Sequence, residues 1–295
     1  MIFDKNQSAF PSEFHREVWW WAVGIVPPDV SLTGEVRAMC APDMLEGCFQ
    51  WHAYFCALCE DMYQNAEAYA PASARQYRDI LEKIAADGQI VSDYISKDRL
   101  SGGGDAVIWG AAEWNAYRNR INKSKQYADR GVTPDACLNA LARTGLVCET
   151  GARVAAFRHT RYPKIFNAMQ TFERSPRVRE TPARHHFAHC EFRQLFKSYS
   201  AGYDELMRRA CDESLYIARV IHEYCVSRKI QRYIHFGIIK YKYRGVRILD
   251  YNLYGNEYPT LRINIGPYRI NPFKRDLDDI INRIAEKKRE IDNAS

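Results

Sequence analysis

The sequence predicts a mainly α protein, with a helical bundle over residues 1–229 and a small C-terminal unit over residues 230–295. We expect that second unit to be an antiparallel β-meander with a covering helix. Three observations lead to this prediction. Apolar residues recur at helical intervals through most of the first 229 residues. At Gln231 the pattern changes to runs rich in Ile, Tyr and Phe, separated by glycine-containing turns. A chain of 295 residues is also long enough for two domains.

The first helices are predicted from proline and capping positions. Pro42 opens a helix that runs to about residue 69, and a second helix follows Pro71 and reaches about residue 95. The glycines at 102–104 break the chain, and Asp105 then caps a helix that carries Trp114 and Tyr117. A further helix starts at residues 133–134, because proline is favoured at the first helical position, and its apolar stripe continues to residue 154.

The later elements include the predicted change of fold class. A short helix covers residues 164–172, and a long amphipathic helix covers residues 203–227. Three strands follow at about residues 233–243, 246–254 and 260–265. The last helix starts at Asn271-Pro272 and reaches about residue 288, and it would cover the meander.

Composition limits the environment of the protein. The longest apolar run, residues 18–28, is about half the length of a membrane-spanning helix. The N-terminus has neither the basic region nor the cleavage site of a signal peptide. Nine scattered cysteines are an odd number for a disulfide framework and favour reduced, buried thiols. We therefore predict a soluble cytoplasmic protein with no membrane partner.

Charge is distributed unevenly along the chain. Residues 151–295 contain 28 Lys and Arg against 16 Asp and Glu, whereas the first 150 residues contain 14 against 20. A basic C-terminal half indicates contact with polyanions, of which nucleic acid is the first choice. A basic surface with no ligand is the alternative interpretation.

The segment 184–189, which reads Arg-His-His-Phe-Ala-His, carries the most specific chemical signal. Five Arg–His pairs in the chain have a spacing of five to seven residues, and only Arg184–His189 also has a residue of the Asn, Asp or His type, His185, directly after the arginine. Ala188 precedes the second histidine, and the basic segment 175–182 leads into the motif. Arginine can neutralise phosphate charge and histidine can move a proton near neutral pH, so the pair suits metal-free RNA cleavage.

This arrangement resembles the signature of the HEPN superfamily, in which Arg, Asn or His, two residues, Ala and His follow one another on a helix of a helical bundle. The resemblance covers about residues 130–229. It implies a metal-independent endoribonuclease of a prokaryotic phage-defence or toxin–antitoxin system, with no cofactor and no metal. It also implies RNA as substrate, a homodimer that brings two motifs together, and a possible antitoxin or defence-system partner.

The resemblance assigns Arg184 and His189 to the catalytic positions and His185 to the polar position. Toxins of this kind that pair with nucleotidyltransferase antitoxins often carry Tyr two residues after the histidine. Glu191 stands there in this chain, so control by modification of that tyrosine is not expected.

Other interpretations of the same residues remain open. One alternative is that Arg184 and the three histidines cap and pack a helix with no catalytic role. Another is that His186, His189, Cys190 and Glu191 are metal ligands, and His185 and His189, four residues apart, can share a metal. The spacing His52, Cys56, Cys59 also resembles a ligand set but is more typical of buried thiols.

Tyrosines alternate with basic residues in the predicted meander. We predict RNA contacts from Lys242, Arg244 and Arg247 there, and from Arg179 ahead of the motif. The alternative is a half-buried sheet with a solvated basic face, or a dimerisation element.

Overall fold

A computed structural model describes residues 3–4, 7, 9–94, 104–175, 185–196, 201–210, 212–235, 238–252, 260–263 and 276–292. Within these residues the protein is mainly helical and contains two small antiparallel sheets. Contacts divide it into two compact units. The first unit is Phe10–Ser198, and the second combines Met1–Ala9 with Tyr199–Ser295.

The first unit is built on helices that surround an aromatic core. Its helices are α1 (Glu13–Gly24), α2 (Pro28–Ser31), α3 (Gly34–Met39), α4 (Pro42–Gln64), α5 (Ala66–Tyr69), α6 (Ala74–Asp87), α7 (Ala111–Asn122), α8 (Lys125–Ala128), α9 (Pro134–Leu141), α10 (Ile165–Arg174) and α11 (His185–Ala188). Helix α4 lies at the centre, in contact with α1 and α10, and α10 also packs on α6. The starts of α4, α6 and α9 confirm the positions predicted from proline and capping residues.

The prediction of an almost entirely helical segment over residues 1–229 is wrong. Four strands, β1 (Gln89–Tyr94), β2 (Gly104–Gly110), β3 (Leu146–Thr150) and β4 (Val154–His159), form an antiparallel sheet in the order β1-β2-β4-β3. Asp105 lies buried in β2 and does not cap a helix. Short apolar runs of five to seven residues satisfy strand and helix patterns alike, and the β-branched residues in them favour strands.

The second unit packs three helices and a four-stranded sheet around one core in its described residues. Its elements are α12 (Tyr203–Arg209), α13 (Asp212–Ser227), β5 (Gln231–His235), β6 (Ile238–Tyr243), β7 (Val246–Asn252), β8 (Thr260–Ile263) and α14 (Leu277–Asp292). The strands form an antiparallel meander in sequence order. The core joins Ile221 and Cys225 of α13 to Tyr241 and Leu249 of the sheet, with Ile280 of α14.

Three details of the second unit correct the sequence analysis. The predicted strand 233–243 is two strands, so the meander has four strands and not three. The predicted helix 203–227 is two helices, α12 and α13. Helix α13 packs with the C-terminal sheet. The boundary between the two compact units therefore lies before this helix, after Ser198, whereas the sequence predicted it after the helix, at residue 229.

None of the helices in the described residues is long and apolar enough to cross a bilayer.

Candidate functional site

The predicted catalytic segment forms one short helix. Helix α11 begins at His185 and ends at Ala188, and a 3-10 turn follows over Phe192–Leu195. Arg184 lies outside the described residues, as do Arg179 and the side chain of His185. The roles of Arg184, His185 and His189 therefore stay predictions.

His189 lies in the core of the first unit, with 7% of its surface exposed. Its ring packs on the backbone of Gly24 so closely that a Cβ at that position would be 2.6 Å from Nε2. The carbonyl of His189 accepts a hydrogen bond from the Val26 amide at 2.8 Å, and the carbonyl of Ala188 accepts one from Trp21 Nε1 at 2.9 Å. The segment is thus tied to the end of α1, and glycine at position 24 permits the close approach.

Aromatic side chains on both sides of His189 anchor the segment further. The ring centroid of Trp51 lies 4.8 Å from that of Phe187 and 5.2 Å from that of Phe192. Phe55 and Phe172 pack on the same indole, at 5.8 and 5.3 Å. Trp51, a fully buried residue of α4, is therefore the common centre of the core and of the motif segment.

Glu191 and Arg193 form a buried ion pair next to His189. Arg193 donates from Nε and Nη2 to the two carboxylate oxygens of Glu191, each at 2.5 Å, and both side chains are only 6% exposed. Two parallel N–H···O bonds satisfy both charged groups in a site from which water is excluded. Glu191, which stands where some HEPN toxins carry tyrosine, thus forms a buried ion pair with Arg193.

The metal interpretations gain no geometric support. Among the described residues, no group of three or more His, Cys, Asp or Glu side chains is placed to hold a metal ion. The sulfur of Cys56 lies 3.8 and 3.9 Å from the ring nitrogens of His52, while Cys59 is fully buried.

The predicted RNA-binding residues of the meander divide into two groups. Lys242 and Arg247 are direct cross-strand partners, and Lys240 faces Asp250 one pair further along the same strands. Because alternate residues point to opposite faces of a sheet, these side chains lie on the face opposite the helices. We call Tyr233, Lys240, Lys242, Arg247 and Asp250 the outer face of the second sheet.

Positive charge predominates on the outer face. Lys242 Nζ lies 4.5 Å above the ring of Tyr233, and Arg247 Nε lies 3.5 Å from a carboxylate oxygen of Asp250. Burial lowers the pKa of the Lys240 ammonium, and the charges of Arg247 and Lys242 lower it further while Asp250 opposes the shift. Three cations against one carboxylate leave a local excess of positive charge.

Arg244 and most of the tyrosines are placed elsewhere. Arg244 occupies the β6–β7 turn with a φ of 49°, followed by Gly245 at 79°, and its guanidinium lies over Tyr243. Tyr241 and Tyr251 are buried under the helices and cannot stack on a base, and Tyr254 lies outside the described residues. Sequence alternation alone could not separate these groups, because the β-bulge between Tyr241 and Lys242 changes the register of the strands.

A buried histidine to which the sequence analysis assigned no role lies at the end of β4. His159 is 3% exposed, and its Nδ1 accepts hydrogen bonds from the amides of Arg161 and Tyr162 at 3.2 and 3.1 Å. Its ring packs on Tyr54 and Tyr162, with centroids at 4.5 and 4.9 Å. Burial, with a contribution from the charge of Arg161, lowers the pKa of His159 to about 4, so the ring is neutral. No local motif predicts this burial.

No protein-family model, curated protein or solved structure matches this chain.

Proposed function

We propose that this protein binds RNA through the outer face of its C-terminal sheet. The observation that carries the proposal is the grouping of Lys240, Lys242 and Arg247 on the sheet face opposite the helices, with one carboxylate, Asp250, between them. Clustered cations attract phosphate and release its counterions. The tyrosine under Lys242 holds the ammonium by a cation–π contact and adds aromatic surface beside it.

Salt dependence tests the proposal. We expect the double variant Lys242→Ser and Arg247→Ser to bind a single-stranded RNA oligonucleotide more weakly, because two phosphate contacts are lost. The slope of log K against log salt should decrease by about 1.4, from roughly 0.7 for each contact. Fluorescence anisotropy at several KCl concentrations measures both quantities.

A matched control removes the same charge from the other side of the unit. Arg283 and Lys287 lie on α14, and their pairs with Glu223 and Glu290 are exposed. Replacing both with Ser should leave the salt slope unchanged. An unchanged slope in the outer-face variant, or an equal decrease in both variants, would contradict the proposal.

Metal-independent endoribonuclease activity is a second candidate function. One observation favours it: His185–Ala188, the residues that directly precede His189 in the motif, are helical. His189 would deprotonate the ribose 2′-hydroxyl or protonate the leaving 5′-oxygen, and Arg184 would stabilise the charged phosphorane. The products would be a 2′,3′-cyclic phosphate and a 5′-hydroxyl.

The burial of His189 sets a condition on this candidate. RNA reaches the ring only if residues 185–196 move away from Gly24, because the ring now packs on that backbone. The helical bundle around the motif, its pairing in a homodimer, the cytoplasmic location and an antitoxin or phage-defence partner belong to the same proposal.

Cleavage in EDTA tests the second candidate. If it holds, the wild-type chain cuts total RNA in EDTA, and His189→Ala reduces the rate by at least about 100-fold, the contribution of a general acid or base. Because His189 is buried, the variant must first show a wild-type circular dichroism spectrum. A substrate with 2′-deoxyribose at the scissile site is a control that does not depend on folding. Cleavage of that substrate, or no cleavage by the wild type, would remove the candidate.

A further inference from the structure

The order of elements in the middle of the first unit is that of a helix-turn-helix followed by a β-hairpin. Helix α7 leads to α9, and β3 and β4 then form a hairpin that closes the sheet beside β2. Arg118 of α7 forms an ion pair with Asp135 of α9, which joins the two helices. The connection between them is longer than in a minimal helix-turn-helix and contains the single turn α8. We propose that α9, the connection between α7 and α9, and the turn between β3 and β4 form a docking surface for double-stranded DNA.

Helix α9 has one buried and one exposed side. Cys137, Leu138 and Leu141 are buried in the unit. Ala136 and Asn139 are exposed, as is Arg143 directly after the helix, and their spacing of three and four residues places them on one side. The amide of Asn139 could contact the edge of a base, because asparagine can form two hydrogen bonds to adenine in the major groove. The small side chain of Ala136 beside it allows the base to approach the helix.

Two acidic residues of this region are paired with arginines. Asp135, the acidic residue of α9, is paired with Arg118. Asp61 accepts a hydrogen bond from Arg143 at 3.1 Å, and Arg143 remains 42% exposed.

Exposed cations lie in the segments that precede and follow α9 in the chain. Lys123 and Lys125 are exposed between α7 and α9, and Arg153 is exposed in the turn between β3 and β4. Among the ion pairs of the described residues, none includes these three side chains. The carbonyl of Arg153 accepts a hydrogen bond from the Ala111 amide at 2.9 Å, which holds the hairpin turn at the start of α7. Phosphate contacts on both sides of a helix position it in a groove, and the helix then reads the bases.

Groove dimensions favour B-form DNA over duplex RNA. The major groove of B-DNA is roughly 12 Å wide and admits a helix, whereas that of A-form RNA is deep and narrow. The exposed cations favour a partner that carries phosphate, which indicates a nucleic acid. Among nucleic acids, the DNA duplex is the one whose major groove admits a single helix. This surface lies in the first unit, so the proposal does not rest on RNA binding by the second unit.

Binding of the full chain to a labelled 30-base-pair DNA duplex of mixed sequence tests the proposal. We expect Lys123→Ser with Arg153→Ser to weaken binding by about ten-fold or more near 0.1 M salt, because two phosphate contacts are lost. The Arg283→Ser and Lys287→Ser variant is the matched control, because these two exposed cations belong to neither proposed surface, and it should bind this duplex like the wild type. Loss in the first variant alone supports the docking surface. No binding by the wild type, or equal loss in both variants, overturns it.

Two further measurements identify what the surface recognises. A duplex RNA of the same sequence should bind at least about ten-fold more weakly than the DNA, and equal binding would overturn the choice of DNA. Selection from a pool of randomised duplexes should give a preferred sequence that Asn139→Ala relaxes at one position, by roughly 5- to 150-fold in affinity, since a base contact contributes about 1–3 kcal/mol. An unchanged preference in Asn139→Ala would overturn base reading by α9.

Discussion

Replacing Trp51 with Ala is expected to destabilise the first unit by about 3–5 kcal/mol, the usual cost of removing a buried tryptophan. Trp51 is fully buried and packs on four phenylalanine rings. Two of these rings, Phe187 and Phe192, lie on either side of His189 in the chain, and the other two belong to α4 and α10. The cavity left by the indole cannot close without separating these elements. The melting temperature of the unit should fall by roughly 10 °C.

Tryptophan fluorescence during urea unfolding measures this effect. All six tryptophans lie in the first unit, so their emission reports on that unit even when one is replaced. Phe49→Ala is the matched control because Phe49 lies on the same helix and is 37% exposed. Its cost should be near 0.5 kcal/mol, as for other surface changes. Similar losses in the two variants would show that Trp51 does not organise the core.

Acidification is expected to reduce the stability of the first unit through His159 by about 2 kcal/mol between pH 7 and pH 5. The pKa of this ring is lowered to about 4 in the folded chain, against 6.5 without the protein environment. As the pH falls below 6.5, the unfolded chain gains a proton on His159 while the folded chain does not. The loss therefore develops between pH 6.5 and 4, and above that window the residue has no effect on pH dependence.

The hydrogen bonds of His159 give the physical reason. Nδ1 accepts from two backbone amides, so a proton on this nitrogen would face two donors and break both bonds. Burial and the cationic Arg161 both disfavour an imidazolium, and they outweigh the backbone hydrogen bond to Thr144, which favours it. The rings of Tyr54 and Tyr162 enclose the imidazole.

Urea unfolding at pH 7, 6 and 5, with wild type and His159→Gln compared, isolates this residue. The variant should have a lower stability at pH 7 and a flatter dependence on pH, since the remaining titrating groups are shared. Parallel pH profiles in the two proteins would show that His159 titrates in the folded state as it does in the unfolded chain.

Local signals in the sequence predicted a good part of the helical framework. Thr133 caps α9 with its side chain and Pro134 follows at the first helical position, so local chemistry starts the helix there. The strands of the first sheet were missed because runs such as Gln89–Tyr94 are too short for periodicity to distinguish strand from helix. Their partners are distant in the chain, and only those partners make the strand the stable choice.

The candidate sites show the same division. The sequence identified the segment 184–189 and the basic residues of the meander as candidates. It could not show that the ring of His189 packs on Gly24. Nor could it show that Lys242 and Arg247 share a sheet face while Arg244 occupies a turn.

By itself, then, the sequence determined a mainly helical chain, a change to strands near residue 231 and a basic C-terminal half, because helix starts, turns and charge are properties of neighbouring residues. The tertiary structure decided which histidines are buried, which cations meet and that the first unit contains a sheet. These depend on contacts between residues far apart in the chain, such as those of Trp51 with Phe187 and of Gly24 with His189, and no local pattern encodes them.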